Sequence, residues 1–304
     1  MQRRTFLAGS AAALTAATTL RAAPPAAVTD FPEDAPRYRK GVKLSMIGGK
    51  GSPEEKFAIA KAAGFAGIEI DGSNRDVPAL LAARDAVGLP IHGVVYGDSW
   101  KDRFSSPDAA IRARAVAGLE QALRDCEELG GSSVLVIPGV VDEATGYADA
   151  YARAEIEITK ALPVAEETGV DVLFENVWNN FLLSPLEFAR FIDGFESPAV
   201  GAYFDVGNVV RIGWPEQWIT VLGERIRKLD VKEYSRKLQQ SEGLYKGFGV
   251  ELGEGSVDWD AVRAALEAIG YRGWATAEVR GGDLDRLADV ANRMDAVLGL
   301  TDSE

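Results

Sequence analysis

A chain of 304 residues, 47% of them hydrophobic, is long enough to bury one large barrel or two average domains. Its net charge of −13 repels phosphate backbones and argues against nucleic acid as a partner. One cysteine and one histidine exclude an intramolecular disulfide, a thiolate-rich zinc site and a histidine-rich metal cluster.

Residues 1–27 read as a targeting segment set apart from the fold. Arg3-Arg4-Thr5-Phe6-Leu7 is a twin-arginine start, and Leu7 to Leu20 is an apolar run too short for a stable membrane span. Small residues from Ala22 to Ala27 offer a cleavage site, so export to the periplasm is expected. Loss of the three arginines in this segment takes the net charge to about −16. Val28 to Lys40 is a polar lead-in, and residues 41–304 are expected to form one catalytic domain.

From Gly41 onward, apolar runs alternate with helical periods. Strands are predicted at Val42–Met46, Gly67–Ile70, Pro90–Tyr96, Ser133–Ile137, Val172–Glu175, Val200–Asp205, Ile226–Val231 and Trp274–Glu278. The intervening helices fit Ser52–Ala63, Val77–Val87, Pro107–Leu129, Tyr147–Thr168, Ser184–Phe195, Pro215–Leu222 and Asp258–Ile269, with a last one at Asp283–Leu298. Ser52-Pro53-Glu54-Glu55 and Ser184-Pro185-Leu186-Glu187 have the form of N-terminal caps. Gly64, Gly88, Gly130, Gly169 and Gly270 follow helices, where a left-handed residue is wanted. Cys126, among Leu123 and Leu129, reads as core filler. Eight βα units imply a single-domain α/β fold, the (β/α)₈ TIM barrel. The connection from Lys232 to Val257 is long enough to be an active-site cover.

Four consecutive strands each carry an acid near their C-terminal end: Glu175, Asp205, Asp230 and Glu278. In a closed barrel these ends face one mouth. Four clustered carboxylates repel one another unless neutralised, and an all-oxygen set favours Mg²⁺ or Mn²⁺ over zinc. The competing arrangement is an ion-pair network drawing on Lys228, Lys232, Arg236 or Arg280. Glu69, at the end of the second strand, and His92, in the third, are further candidates for substrate contact, each with a plain structural alternative.

The chain from about Gly41 resembles the sugar phosphate isomerase/epimerase family, the xylose isomerase-like barrels, in the branch of hexulose-phosphate isomerases and ketose 3-epimerases. The resemblance rests on Phe174-Glu175-Asn176-Val177-Trp178-Asn179, Tyr203-Phe204-Asp205-Val206-Gly207-Asn208, Asp230-Val231-Lys232-Glu233, Gly253-Glu254-Gly255 and Ala277-Glu278. It implies metal ligation by Glu175, Asp205, Asp230 and Glu278, with Asp230 standing where the family has histidine. It also implies that Arg236 keeps a substrate-binding arginine, and that Asn208 stands where ketose epimerases often place a substrate-binding histidine. Glu175 and Glu278 would then be the catalytic pair, moving a proton next to a sugar carbonyl through an enediolate. Arg236, Glu69, His92, Asn208, Trp178 and Lys232 would contact the sugar, with Phe181 and Trp214 as further stacking candidates. Because export separates the protein from cytoplasmic sugar phosphates, the expected substrate is a non-phosphorylated sugar or keto-sugar. The alternatives are a lyase acting on 3-keto-glycosides and a non-catalytic sugar-binding barrel. No nucleic acid or membrane partner is expected, and a homo-oligomer is compatible with the sequence.

Overall fold

The computed structural model describes residues 36–73 and 75–300. The twin-arginine stretch, the cleavage region and most of the lead-in lie outside the described residues. Eight parallel strands, β1 (Tyr38–Lys43), β2 (Gly67–Ile70), β3 (Ile91–Val95), β4 (Ser133–Val136), β5 (Asp171–Glu175), β6 (Val200–Asp205), β7 (Ile226–Val231) and β8 (Gly273–Ala277), pair in sequence order. Pairing of β1 with β8, from Tyr38 opposite Gly273 to Val42 opposite Ala277, closes the barrel. The helices are α1 (Pro53–Ala62), α2 (Val77–Val87), α3 (Ala109–Leu129), α4 (Tyr147–Thr159), α5 (Leu162–Thr168), α6 (Pro185–Gly194), α7 (Val206–Val210), α8 (Pro215–Leu222), α9 (Arg236–Glu242), α10 (Trp259–Ala268) and α11 (Leu284–Leu298). Among the described residues no helix is long and apolar enough to cross a membrane.

The caps are largely those written in the sequence. At α1, Ser52 Oγ accepts from Glu55 N, and Glu55 Oε2 accepts from Ser52 N, which completes the box. At α6 only half forms: Ser184 Oγ accepts from Glu187 N, while the Glu187 carboxylate turns to Tyr147 Oη and Leu183 N. Gly64, Gly88, Gly130, Gly169 and Gly270 all have positive φ, between +66° and +91°. Cys126 is fully buried in the core.

Three departures have local causes. Strand β1 starts at Tyr38, ahead of the expected Val42, and Leu44–Met46 turns into a 3₁₀ segment. Arg39 and Lys40 made the strand's first half look like a polar lead-in, although Lys40 is spent on Asp295 of α11 at 2.7 Å. The expected helix from Tyr147 to Thr168 divides into α4 and α5. Pro163 has no N–H to give and its ring crowds the carbonyl four residues back, Thr159, where α4 ends. The long connection after β7 also contains helical turns, α9 and a 3₁₀ segment Leu244–Phe248.

The main core lies between the sheet and the helices, and a small inner cluster of Leu135, Leu173 and Tyr203 fills the barrel itself. Polar groups share the interior with that cluster: Tyr203 Oη lies 2.7 Å from Thr276 Oγ1, and Lys228 Nζ donates to His92 O. The loop after β7 is organised by one buried carboxylate. Glu233 accepts from the N–H groups of Tyr234, Gly253 and Val257 and from Trp259 Nε1, at 2.9–3.1 Å. This accounts for the Gly253-Glu254-Gly255 run: Gly253 has φ +84°, and a Cβ on Gly255 would lie 2.3 Å from Glu233 Oε1. Glu233→Ala strands these donors, so a loss of about 3 kcal/mol or more is expected in denaturant unfolding. Faster proteolysis within 243–256 should accompany it.

Candidate active site

Strand register assembles the acids. Glu175 pairs with Tyr203, Asp205 with Asp230, and Asp230 with Thr276, so the ends of β5 to β8 lie side by side. Oxygens of Glu175, Asp205, Asp230 and Glu278 fall within 4.8 Å of one another. Glu175, Asp205 and Asp230 are buried, whereas the Glu278 side chain keeps 31% exposure.

The stretch after β5 builds the surroundings residue by residue. Asn176 extends the β5–β6 ladder, with Nδ2 donating to Asp205 O and Oδ1 accepting from Asp205 N, both at 2.8 Å. Trp178 is half-buried, its Nε1 donating to Asn208 O at 2.9 Å, and Asn179 Nδ2 donates to Gly139 O. Asn208 Nδ2 donates to Glu175 Oε1 at 3.2 Å, and Asn208 N donates to Asp205 Oδ1 at 2.8 Å. A cavity of about 430 Å³ opens above, with Glu175, Glu278, Lys232 and Asn208 among its lining and Trp178, Phe248, Tyr245 and Trp100 around them.

Two buried lysines interleave with the acids. Lys43 Nζ lies 3.0 Å from Asp230 and 3.1 Å from Glu278; Lys232 Nζ lies 2.9 Å from Asp205 and 3.2 Å from Glu278. Lys232 is among the partners that the sequence offers the acids. Lys43 is not, because in β1 it reads as an ordinary strand residue. Lys228 pairs with none of the four: its Nζ donates to His92 O.

These contacts split the acids. Burial acts to raise Glu278, but Lys43 and Lys232 outweigh it and hold this carboxyl well below the usual range. Burial and then the Glu278 charge push Glu175 well above its ordinary value. Burial also drives Asp230 well up against Lys43, and lifts Asp205 to about 6 against Lys232. Both lysines are raised despite burial by the acids they touch, so they remain charged.

The donor set fits a divalent cation. Asp230 Oδ1 is buried without a hydrogen-bond partner, and Asp205 Oδ2 and Glu278 Oε2 have ion-pair neighbours but no aligned donor. Four ionised carboxylates against two ammoniums leave two negative charges, the charge one such ion supplies. Without the ion, Asp205 imposes a pH dependence on stability. A carboxyl raised in the folded state stabilises fully below the unfolded value near 4, and that stability is lost as pH rises through about 6. In EDTA, wild type should lose up to about 3 kcal/mol between pH 4 and 7 that Asp205→Asn does not. Denaturant unfolding of the two proteins across that range checks it.

The remaining expected contacts divide by depth. Trp178, Lys232 and Asn208 line the cavity. Arg236 does not: Nε donates to Val210 O and Nη2 to Gly213 O, and its guanidinium lies 4.9 Å from the Trp214 ring centre. Those bonds serve the chain that follows β6. Glu69 and His92 point into the barrel but lie outside the cavity lining. Glu69 is fully buried with neither oxygen hydrogen-bonded, and burial raises it against Lys43 and Lys228. His92 stacks on Trp274 at 4.3 Å, and burial with Lys228 keeps the imidazole neutral. Phe181 packs in the core against Tyr147, Tyr151 and Phe191. Trp214 is exposed and lies outside the cavity lining.

The chain is similar in sequence and fold to known proteins. The sequence pattern of the xylose isomerase-like TIM barrel family matches residues 57–297. A protein of Escherichia coli (strain K12), provisionally named L-ribulose-5-phosphate 3-epimerase SgbU, is 26% identical over 241 residues, spanning 72% of this chain and 80% of that protein. The inosose dehydratase of Geobacillus thermodenitrificans (strain NG80-2) is 22% identical, over 77% of this chain and 84% of its own. Among solved structures, the D-allulose 3-epimerase of Methylomonas sp. in complex with D-allulose superposes with TM-score 0.70 at 21% identity, covering 87% of this chain and 97% of that one.

Proposed function

The chain belongs to the xylose isomerase-like TIM barrel family, and from that premise we propose that it is a divalent-cation-dependent isomerase or epimerase of a non-phosphorylated sugar or keto-sugar. One observation carries the reading: four carboxylates from β5 to β8 meet at one barrel end, and two of them, Glu175 and Glu278, also line the cavity. The named epimerases among the similar proteins support it.

Glu175, Asp205, Asp230 and Glu278 would hold the cation, with the all-oxygen set favouring Mn²⁺ or Mg²⁺. A cation bound there would polarise the sugar carbonyl and so acidify the neighbouring C–H. Glu278, which lines the cavity and has the most open side chain of the four, would remove that proton. Glu175, which also lines the cavity and is bonded to Asn208, would return one. Asn208 orients Glu175 through its Nδ2 contact. Among the described residues that line the cavity, Lys232 is a cation already committed to Asp205 and Glu278, which favours an uncharged sugar over a phosphorylated one. Export by the twin-arginine route, carrying the folded and cation-loaded protein, fits such a substrate.

Metal analysis of the purified protein, followed by deuterium wash-in across a panel of ketoses and keto-sugars, tests the proposal. Stoichiometric Mn or Mg together with solvent deuterium at the carbon next to the carbonyl is the expected result. The dehydratase among the relatives supports a second outcome, in which the same proton abstraction ends in expulsion of a leaving group. Sugar binding with no exchange under any condition would reduce the protein to a binding barrel.

A further inference from the structure

The cavity has two chemically different halves. Carboxylates, Lys232 and Asn208 form its polar part, while aromatic rings continue outward from Trp178 and Phe248 to Tyr245 and Trp100. Trp178 cannot swing freely: its Nε1 is bonded to Asn208 O, and the Arg211 guanidinium lies 5.0 Å from its ring centre. Phe248 and Tyr245 stand 4.8 and 5.6 Å from it, on the 3₁₀ segment of the β7 loop. Trp100 comes from the turn after β3, four strands away around an eight-stranded ring, so it approaches the mouth from the other side.

Trp100 is 52% exposed and Tyr245 74% exposed, although both line the same cavity. Large aromatics left in water on two sides of a binding cavity are unlike the scattered surface residues that need no explanation. A volume of about 430 Å³ also falls in the range that encloses drug-sized ligands, well beyond the roughly twelve heavy atoms of a free hexose. We propose that the site takes a glycoside: a keto-sugar ring on the acidic floor, joined through its glycosidic oxygen to a second ring held between Trp100 and Tyr245. The chemistry required of the second ring is a flat or apolar face, which an aromatic aglycone and a second pyranose both offer.

This deepens the proposed function and rests on its assignment of the floor, so the test keeps the two apart. Binding to the Mn²⁺-loaded protein is measured by calorimetry for methyl glucoside, phenyl glucoside and cellobiose, none of which needs to react. Phenyl glucoside or cellobiose is expected to bind at least about tenfold tighter than methyl glucoside. Trp100→Ala and Tyr245→Ala, both at exposed positions and checked for fold by circular dichroism, should each erase that preference. Preference for the phenyl ring alone assigns an aglycone, and for cellobiose alone a second sugar. Equal affinities, or a preference that survives both substitutions, overturn the subsite. Deuterium wash-in on the free keto-hexose and its glycosides tests the floor separately. Absence of exchange beside an intact ring preference sinks the enolising reading and leaves the subsite standing.

Discussion

The Glu278→Gln variant is expected to lose solvent-proton exchange by about 10²–10⁴-fold, the usual worth of a positioned general base. Glu278 is the one acid of the four whose carboxyl is held low, and it is the most open to the cavity. Glu175→Gln should behave differently. A proton can still be removed by Glu278, so exchange persists, but nothing opposite returns it, and inversion or transfer to the neighbouring carbon fails. Proton NMR in D₂O reads both quantities in one experiment: isotope entering the substrate, and product appearing. Metal content measured in parallel separates lost chemistry from a lost ligand. If the two variants lose exchange and product to the same extent, the division of labour between the two carboxyls is wrong.

The strands, and the acids at their ends, were legible because both signals are periodic. Short apolar runs closing on a carboxylate recur at β5, β6, β7 and β8, and parallel register does the rest. Depth was harder to read than facing. Glu69 and His92 point into the barrel as their strands require, but His92 is only the second residue of β3 and so lies below the rim, against Trp274. A motif also gives a side chain's identity without its partners. Arg236 is expected to meet substrate, yet its Nε and Nη2 donate to the carbonyls of Val210 and Gly213. Lys43 left no local trace, because its role depends on β1 closing against β8, the contact with the longest chain separation in the barrel. Asp230 and Lys43 explain each other: the aspartate adds a buried charge to the rim, and a lysine across the closing seam answers it.

That pairing sets up the strongest test of what the acids are for. Lys43→Met removes an ammonium lying 3.0 Å from Asp230 and 3.1 Å from Glu278, in a setting where Asp230 is fully buried. Breaking a buried pair on one side costs about 3–5 kcal/mol, because the charge left behind has lost its compensation. In EDTA the variant should therefore melt roughly 10 °C below wild type. Added Mn²⁺ should reverse most of that loss. A ligand present at a hundred times its Kd contributes about 2.7 kcal/mol of stability. Removing a positive charge from the rim should also tighten the ion by about tenfold or more, a change calorimetry measures directly. Wild type would then bind more weakly than the variant, because each entering ion meets two ammoniums already seated on the carboxylates. The two accounts of the quartet thus predict opposite signs. A cation site gains affinity and is rescued by metal when Lys43 is lost. A closed ion-pair network loses stability that no divalent ion restores.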